Sequence, residues 1–187
     1  MKKQLLFLVT MLSLGCTTSY AQENGNPIFL MGKVGNNVGI ENCPGTCSAN
    51  TSGTIGIGIS GDFLESPDPS THLNMWNSIG VEYKREQFNI NGNQLNVQMK
   101  AINLTMGYIF PEASRYIFTL GLGWGWQTTS VANMPDRTRL TPYGDFDLLY
   151  KVNPNLYLSV GYTHEFIFSG YPDFIANGMD VGLRWYP

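Results

Sequence analysis

Between Ile102 and Trp126 the chain alternates large apolar side chains with small or polar ones. Ile102, Leu104, Met106, Tyr108 and Phe110 are separated by Asn103, Thr105, Gly107 and Ile109. The turn-forming run Pro111-Glu112-Ala113-Ser114-Arg115 interrupts the pattern. It resumes with Tyr116, Phe118, Leu120, Leu122, Trp124 and Trp126, separated by Ile117, Thr119, Gly121, Gly123, Gly125 and Gln127. Period two makes these two antiparallel strands, each with one large apolar face. A soluble sheet would show water a polar face, yet the second strand offers three glycines there. Glycine shields no surface, but it leaves room inside a narrow closed barrel. Tyr116 to Trp126 spans roughly 33 Å of strand, or about 25 Å after a tilt near 40°, the height of a lipid-facing band with an aromatic girdle at each rim.

The same reading extends along the chain. Pro27–Glu41 predicts a first strand with Ile28, Leu30 and Val34 on one face, followed by a polar loop over Asn42–Gly53. Thr54–Phe63 is the second strand, with Ile55, Ile57 and Ile59 outward, and Glu65–Leu73 is a Pro-rich turn. Trp76–Ile90 is the third, with Ile79, Val81 and Tyr83 outward and Gly80, Glu82 and Lys84 inward. Asn91-Gly92-Asn93 is a hairpin signal. On the fourth strand, Leu95–Phe110, the parity of the large residues slips between Met99 and Ile102, and a β-bulge near Lys100-Ala101 would absorb it. The strand after Pro111–Arg115 ends near Ala132, and Asn133–Arg137 is a polar loop. The sixth strand, Leu140–Val152, points Phe146, Leu148 and Tyr150 outward and Asp145, Asp147 and Lys151 inward; Pro142 fits only near its loop end, clear of the ladder. Asn153-Pro154-Asn155 turns into a seventh with Leu156, Leu158, Val160, Tyr162, Phe166 and Phe168 outward. Gly170–Asn177 loops over to the eighth, whose outward face is Met179, Val181, Leu183 and Trp185. The fold class is therefore all-β, an eight-stranded antiparallel up-and-down transmembrane β-barrel.

Composition sharpens this picture. Charged residues are 13% of 187, aromatics also 13%, and glycines number 21. So few charges with so many glycines and aromatics fit a membrane barrel better than a soluble enzyme. The net charge of −3 comes with no basic stripe, which excludes nucleic acid as a partner. Lys2 and Lys3, the short apolar run Leu5–Gly15 and Ser19-Tyr20-Ala21 make residues 1–21 an export signal, leaving residues 22–187 as the barrel domain. Leu14-Gly15-Cys16 offers a competing reading as part of a lipoprotein box, although Ser13 replaces the large aliphatic residue such a box carries.

The signal, the eight alternating segments and the closing run Met179-Asp180-Val181-Gly182-Leu183-Arg184-Trp185 together resemble the small eight-stranded outer-membrane barrels of Gram-negative bacteria, the class of the OmpA transmembrane domain and the OmpX-like proteins. The resemblance covers the mature chain and is one of architecture. Tyr186-Pro187 trails after the closing aromatic, a departure from the pattern. The resemblance implies location in the outer membrane among phospholipid and lipopolysaccharide, recognition by the barrel-assembly machinery, and an extracellular ligand of unknown identity at the loops.

Cys43 and Cys47 have three residues between them in the first loop of an exported chain, without His or a third Cys beside them. A disulfide is expected there rather than a zinc site, and no metal or cofactor is expected elsewhere. The inward charges are Lys33, Glu82, Lys84, Asp145, Asp147, Lys151, Glu165, Asp180 and Arg184. Four cations against five acids nearly balance, as expected of a salt-bridged plug; an ion path is the alternative. His164-Glu165-Phe166-Ile167-Phe168-Ser169-Gly170 bears a loose similarity to the lipid A deacylases, whose catalytic His precedes the Ser nucleophile by two. Phe166 holds that place here, and parity sends His164 outward while Glu165 points inward, so no catalytic set is assigned. His72 sits in the Pro-rich turn without partners. The function expected is non-enzymatic, a structural or surface-contact role through the outer loops. A narrow solute channel and a lipid-modifying enzyme are the alternatives.

Overall fold

The computed structural model describes residues 27–43, 45–61, 75–110, 115–131, 134–168 and 173–187. The export signal, Ser169 and the whole of the expected Pro-rich turn Glu65–Leu73, His72 included, lie outside them. Among the described residues nine strands follow one another: β1 Ile28–Glu41, β2 Cys47–Ala49, β3 Thr51–Gly61, β4 Met75–Ile90, β5 Asn93–Ile109, β6 Tyr116–Val131, β7 Arg137–Asn153, β8 Leu156–Ile167 and β9 Phe174–Trp185. All neighbours are antiparallel, and β1 pairs with both β3 and β9, which closes an eight-stranded up-and-down barrel. The ninth strand, β2, is a short continuation beside the far end of β4, where Cys47 faces Ile90 and Ala49 faces Phe88. The first loop is thus partly strand, not the continuous polar loop expected over Asn42–Gly53. The last strand likewise starts earlier, at Phe174, because Ile175–Asn177 pair on both sides.

The lateral rows climb as they circle the barrel. From Phe29 the pairing runs through Gly58, Gly80, Asn103, Gly123, Tyr143, Glu165 and Ala176, and returns to β1 at Ile40, eleven residues further along. One of those eleven is the bulge between Asn37 and Gly39. Such stagger requires tilted strands and a narrow lumen. Small residues in that row face large ones. A Cβ on Gly58 would lie 2.7 Å from Cε1 of Phe29, and one on Gly123 would lie 2.7 Å from the hydroxyl of Tyr143. The glycines of the inward face are the space into which these rings fit.

The outward face is apolar over the middle of the wall, with Leu104, Leu122, Phe146, Val160 and Val181 all exposed. In a bilayer that exposure is to lipid. Inside, the lumen is layered. At the end that carries the C-terminus, Phe29, Met31, Ile117, Leu149, Tyr157 and Tyr186 pack together. Tyr186, which trails the closing strand, is 2% exposed and packs at a tilt against Phe29 and edge-on against Tyr157. At the opposite end Phe88, Ile90, Leu95, Val97, Ile167, Phe174 and Ala176 form a second cluster. The salt-bridged side chains lie between the two.

Two sequence expectations about the ladder need correction. No bulge occurs near Lys100-Ala101: β5 pairs without a shift with β4 from Tyr108 to Asn93 and with β6 from Ile109 to Leu95. Leu95, Val97 and Met99 instead point into the lumen, each 1% exposed. The strand keeps its parity, and it is the apolar face that changes sides. Pro142 is also not confined to a loop end. It pairs with Trp124 inside β7, while the β7–β8 ladder stops one residue away at Tyr143 and Glu165. Proline has no N–H to donate, and the ladder on one of its two edges ends beside it.

Candidate functional site

Two places combine chemistry with geometry: the charged layer of the lumen and the collar beyond the lipid band. In the lumen, Lys33 of β1 donates to Asp147 of β7 at 2.7 and 2.8 Å. Asp145 and Asp180 stand 3.6 and 3.7 Å from the same ammonium. Alternation puts all four on the inward face, and the climbing rows bring β1, β7 and β9 to one level. A second group gathers on Lys84, which pairs with Glu86 at 3.1 Å and with Glu165. Between the groups Glu82 accepts from Asn103 at 2.9 Å and from the hydroxyl of Tyr143 at 2.8 Å. Gln127 donates to Glu165 at 3.0 Å. Arg184 is buried near the C-terminal end, its guanidinium 4.4 Å from the centre of the Phe29 ring.

Eight of the nine charges expected inside are thus in the lumen layer. Lys151 differs: it is half-buried at the end of β7, opposite Tyr157. Glu86 takes its place as an inward charge, 2% exposed. It shares the parity of Glu82 and Lys84, so the same alternation could have found it. The near balance of charge therefore does not hold. Lys33, Lys84 and Arg184 face Glu82, Glu86, Asp145, Asp147, Glu165 and Asp180. The carboxylates draw extra hydrogen bonds from neutral donors, Asn103, Tyr143 and Gln127, which a search for charges overlooks.

Outside the lumen, Cys43 and Cys47 are joined by a disulfide. The loop it closes is tied to the β4–β5 turn: Asn91 donates its N–H to the Thr46 carbonyl at 2.9 Å, and the Asn91 side chain accepts from the Thr46 N–H at 3.0 Å. That turn has two central residues, Asn91 at φ 51° and Gly92 at φ 83°. Both lie in the left-handed region that such a tight hairpin requires. On the opposite wall His164 Nδ1 lies 2.7 Å from Asn177 Oδ1, which also accepts from Tyr162 at 2.8 Å. Asn177 in turn donates to Glu41 at 2.9 Å. Sequence reading sent His164 outward but gave it no partner. Asn177, directly across the ladder from His164, is an amide in the otherwise apolar row of Met179, Val181 and Leu183.

No protein-family model matches the chain, and no curated protein matches it. Solved structures do. Neisserial surface protein A (NspA) superposes with a TM-score of 0.60 at 16% identity, covering 86% of this chain and 97% of that one. The outer membrane protein OprG of Pseudomonas aeruginosa gives 0.49 at 10% identity over 86% and 95%. Ail of Yersinia pestis, the attachment invasion locus protein, gives 0.48 at 14% over 84% and 95%. At these identities the likeness is one of fold. The closed antiparallel wall, its apolar outer band and the superposition on NspA together give the chain the fold of the small outer-membrane β-barrels.

Proposed function

We propose that this protein resides in the outer membrane as a non-enzymatic barrel with a sealed lumen, and that it acts as a structural or contact protein through its outer surface. The observation that carries this reading is the layering of the interior. An apolar cluster lies across each end, with salt-bridged side chains between them. A solute would have to part both clusters and separate Lys33 from Asp147, leaving charges unpaired at low dielectric. With the lumen so filled, the surface left for partners is the outer end. There the disulfide loop and the β4–β5 turn brace each other. Export through a signal cleaved before Gln22 and insertion by the barrel-assembly machinery belong to the same reading.

Planar-bilayer conductance of the refolded barrel tests the seal. The expected result is negligible steady current, and a large stable conductance would replace this reading with the solute-channel one. Fractionation tests location: the protein should follow the outer membrane and migrate faster on a gel unheated than boiled. Recovery as a soluble periplasmic monomer would overturn it.

A further inference from the structure

We propose that the lumen holds a small monovalent cation, of the size and hardness of sodium, between the carboxylate of Asp145 and the side-chain carbonyl of Asn103. This rests on the sealed-lumen reading above and adds a resident ion to it. Asp145, Asp147 and Asp180 crowd one ammonium, that of Lys33. A fourth acid, Glu82, is tied to Asp145 through Asn103, whose amide nitrogen donates to both. Only Arg184 adds a second positive charge to this group. Four acids therefore meet two bases between apolar clusters that keep water from screening them. A surplus of negative charge at low dielectric is costly unless something positive joins it.

A neutral atom marks where it would sit. Asn103 is 3% exposed, and its Oδ1 has no hydrogen-bond partner among the described residues. The amide cannot be turned round to relieve this, because its nitrogen already serves Glu82 at 2.9 Å and Asp145 at 3.4 Å, and a carbonyl there would face two carboxylates. Between β5 and β7 the wall is bare: β6 has Gly121, directly across the ladder from Asp145. Side chains from both neighbouring strands meet over that glycine. A Cβ on Gly121 would run into Asp145 Oδ1 and stand 3.0 Å from Asn103 Oδ1, so the two oxygens lie less than about 5 Å apart. Two acceptors converge there with no donor between them.

Donor type and number narrow the ligand. A carboxylate and an amide carbonyl are hard oxygen donors, suited to a hard cation rather than a thiolate- or imidazole-seeking one. Cation–oxygen bonds of about 2.3–2.6 Å let one ion touch two oxygens up to about 5 Å apart. Divalent calcium collects six to eight oxygens, commonly with several carboxylates among them. Among the described residues no three His, Cys, Asp or Glu side chains converge to hold a metal in that way. A single positive charge with water completing its shell fits the pair that is present, and it offsets part of the surplus without displacing Lys33 from Asp147.

The test follows urea unfolding of the mature barrel in zwitterionic detergent as sodium chloride replaces choline chloride at constant total salt. One bound ion should raise the folding equilibrium constant up to about tenfold for each tenfold rise in sodium above its dissociation constant. Asp145→Asn keeps the shape, removes the charge and should abolish that response. Asp136→Asn, at an exposed site between β6 and β7, should keep it in full. Gly121→Ala, whose methyl displaces the Asp145 carboxylate, is the reserve variant, and heat-dependent gel migration reports folding of each sample. A wild-type midpoint indifferent to sodium would overturn the proposal, as would a sodium response that survives in the folded Asp145 or Gly121 variant. A midpoint that follows pH but not sodium overturns it too, and assigns the surplus charge to protons. Planar-bilayer conductance of the same wild-type sample reads the seal separately. A closed barrel without a sodium response refutes the ion alone, whereas an open one refutes the sealed lumen and the reason for a resident ion with it.

Discussion

The two ends of β5 obey opposite rules. From Ile102 to Tyr108 its large apolar residues face outward, and Leu104 is 49% exposed while Asn103 and Thr105 point inward. From Leu95 to Met99 the apolar residues face inward, while Gln94, Gln98 and Lys100 face out. Register is unbroken throughout, so the backbone does the same thing in both halves. What changes is the solvent outside. The first half stands in lipid, which admits only apolar side chains, and the interior is left to polar residues and glycine. The second half stands in water and behaves as a small soluble barrel whose core is Phe88, Ile90, Leu95, Val97, Ile167 and Phe174. The membrane boundary is written on a single strand as the point where polarity inverts.

The sharpest way to break the contrast is at the charged layer, whose Lys33 group lies on the membrane side while the Lys84–Glu86 pair reaches the level of Met99 and Val97. Lys33→Met would leave Asp145, Asp147 and Asp180 without their shared cation and should destabilise the barrel in urea by about 3–5 kcal/mol. Lys100→Met, on the outer face, should cost less than about 0.5 kcal/mol. Arg184→Leu and Arg137→Leu form a second such pair, with the large loss expected at buried Arg184. Equal effects within either pair would mean that the lumen is hydrated enough to screen its charges.

Inverting polarity on the outer face comes next. Leu122→Lys places a charge in the lipid band and should cost about 2–4 kcal/mol near mid-depth, measured by unfolding from vesicles. Gln98→Lys, on the polar collar, should be nearly neutral. If both were neutral, the boundary drawn between Lys100 and Ile102 would be misplaced.

Filling the lumen should have a smaller effect. Gly123→Ala would press a methyl against the Tyr143 ring, and the overpacking should cost about 1–3 kcal/mol. Gly53→Ala meets nothing within 4 Å and serves as the control. The smallest effect belongs to the collar loop. Reduction of Cys43–Cys47 should add two hydrogens to the intact mass and cost roughly 2 kcal/mol at most, given the short loop closed. Maleimide labelling of both thiols in untreated protein would remove the disulfide and reopen a metal-binding role.

In the lipid band the pattern was almost wholly legible. The outward sets on β1, β6, β7 and β9, from Ile28 and Leu30 to Leu183 and Trp185, are those that alternation assigns. Legibility failed at the collar, where Leu95, Val97 and Met99 looked like a slipped register because one outside solvent was assumed for the whole strand. It failed again wherever the partner was neutral, inside the lumen and, at Asn177, outside it. Asn103, Tyr143, Gln127 and Asn177 bear no charge to draw attention, yet each anchors a hydrogen bond to a charged or titratable side chain.

By itself, the sequence determined the parity of each membrane strand, the antiparallel order and the closure. Lipid contact is a demand on every second residue, and a local demand leaves a local pattern. Only the tertiary structure decided who meets whom inside. Lys33 finds Asp147 at a separation of 114 residues, and Lys84 finds Glu165 at 81. Those meetings depend on how far the rows climb in one circuit of the wall. That stagger is a property of the closed barrel, summed over eight strand pairings, and no single stretch of sequence contains it.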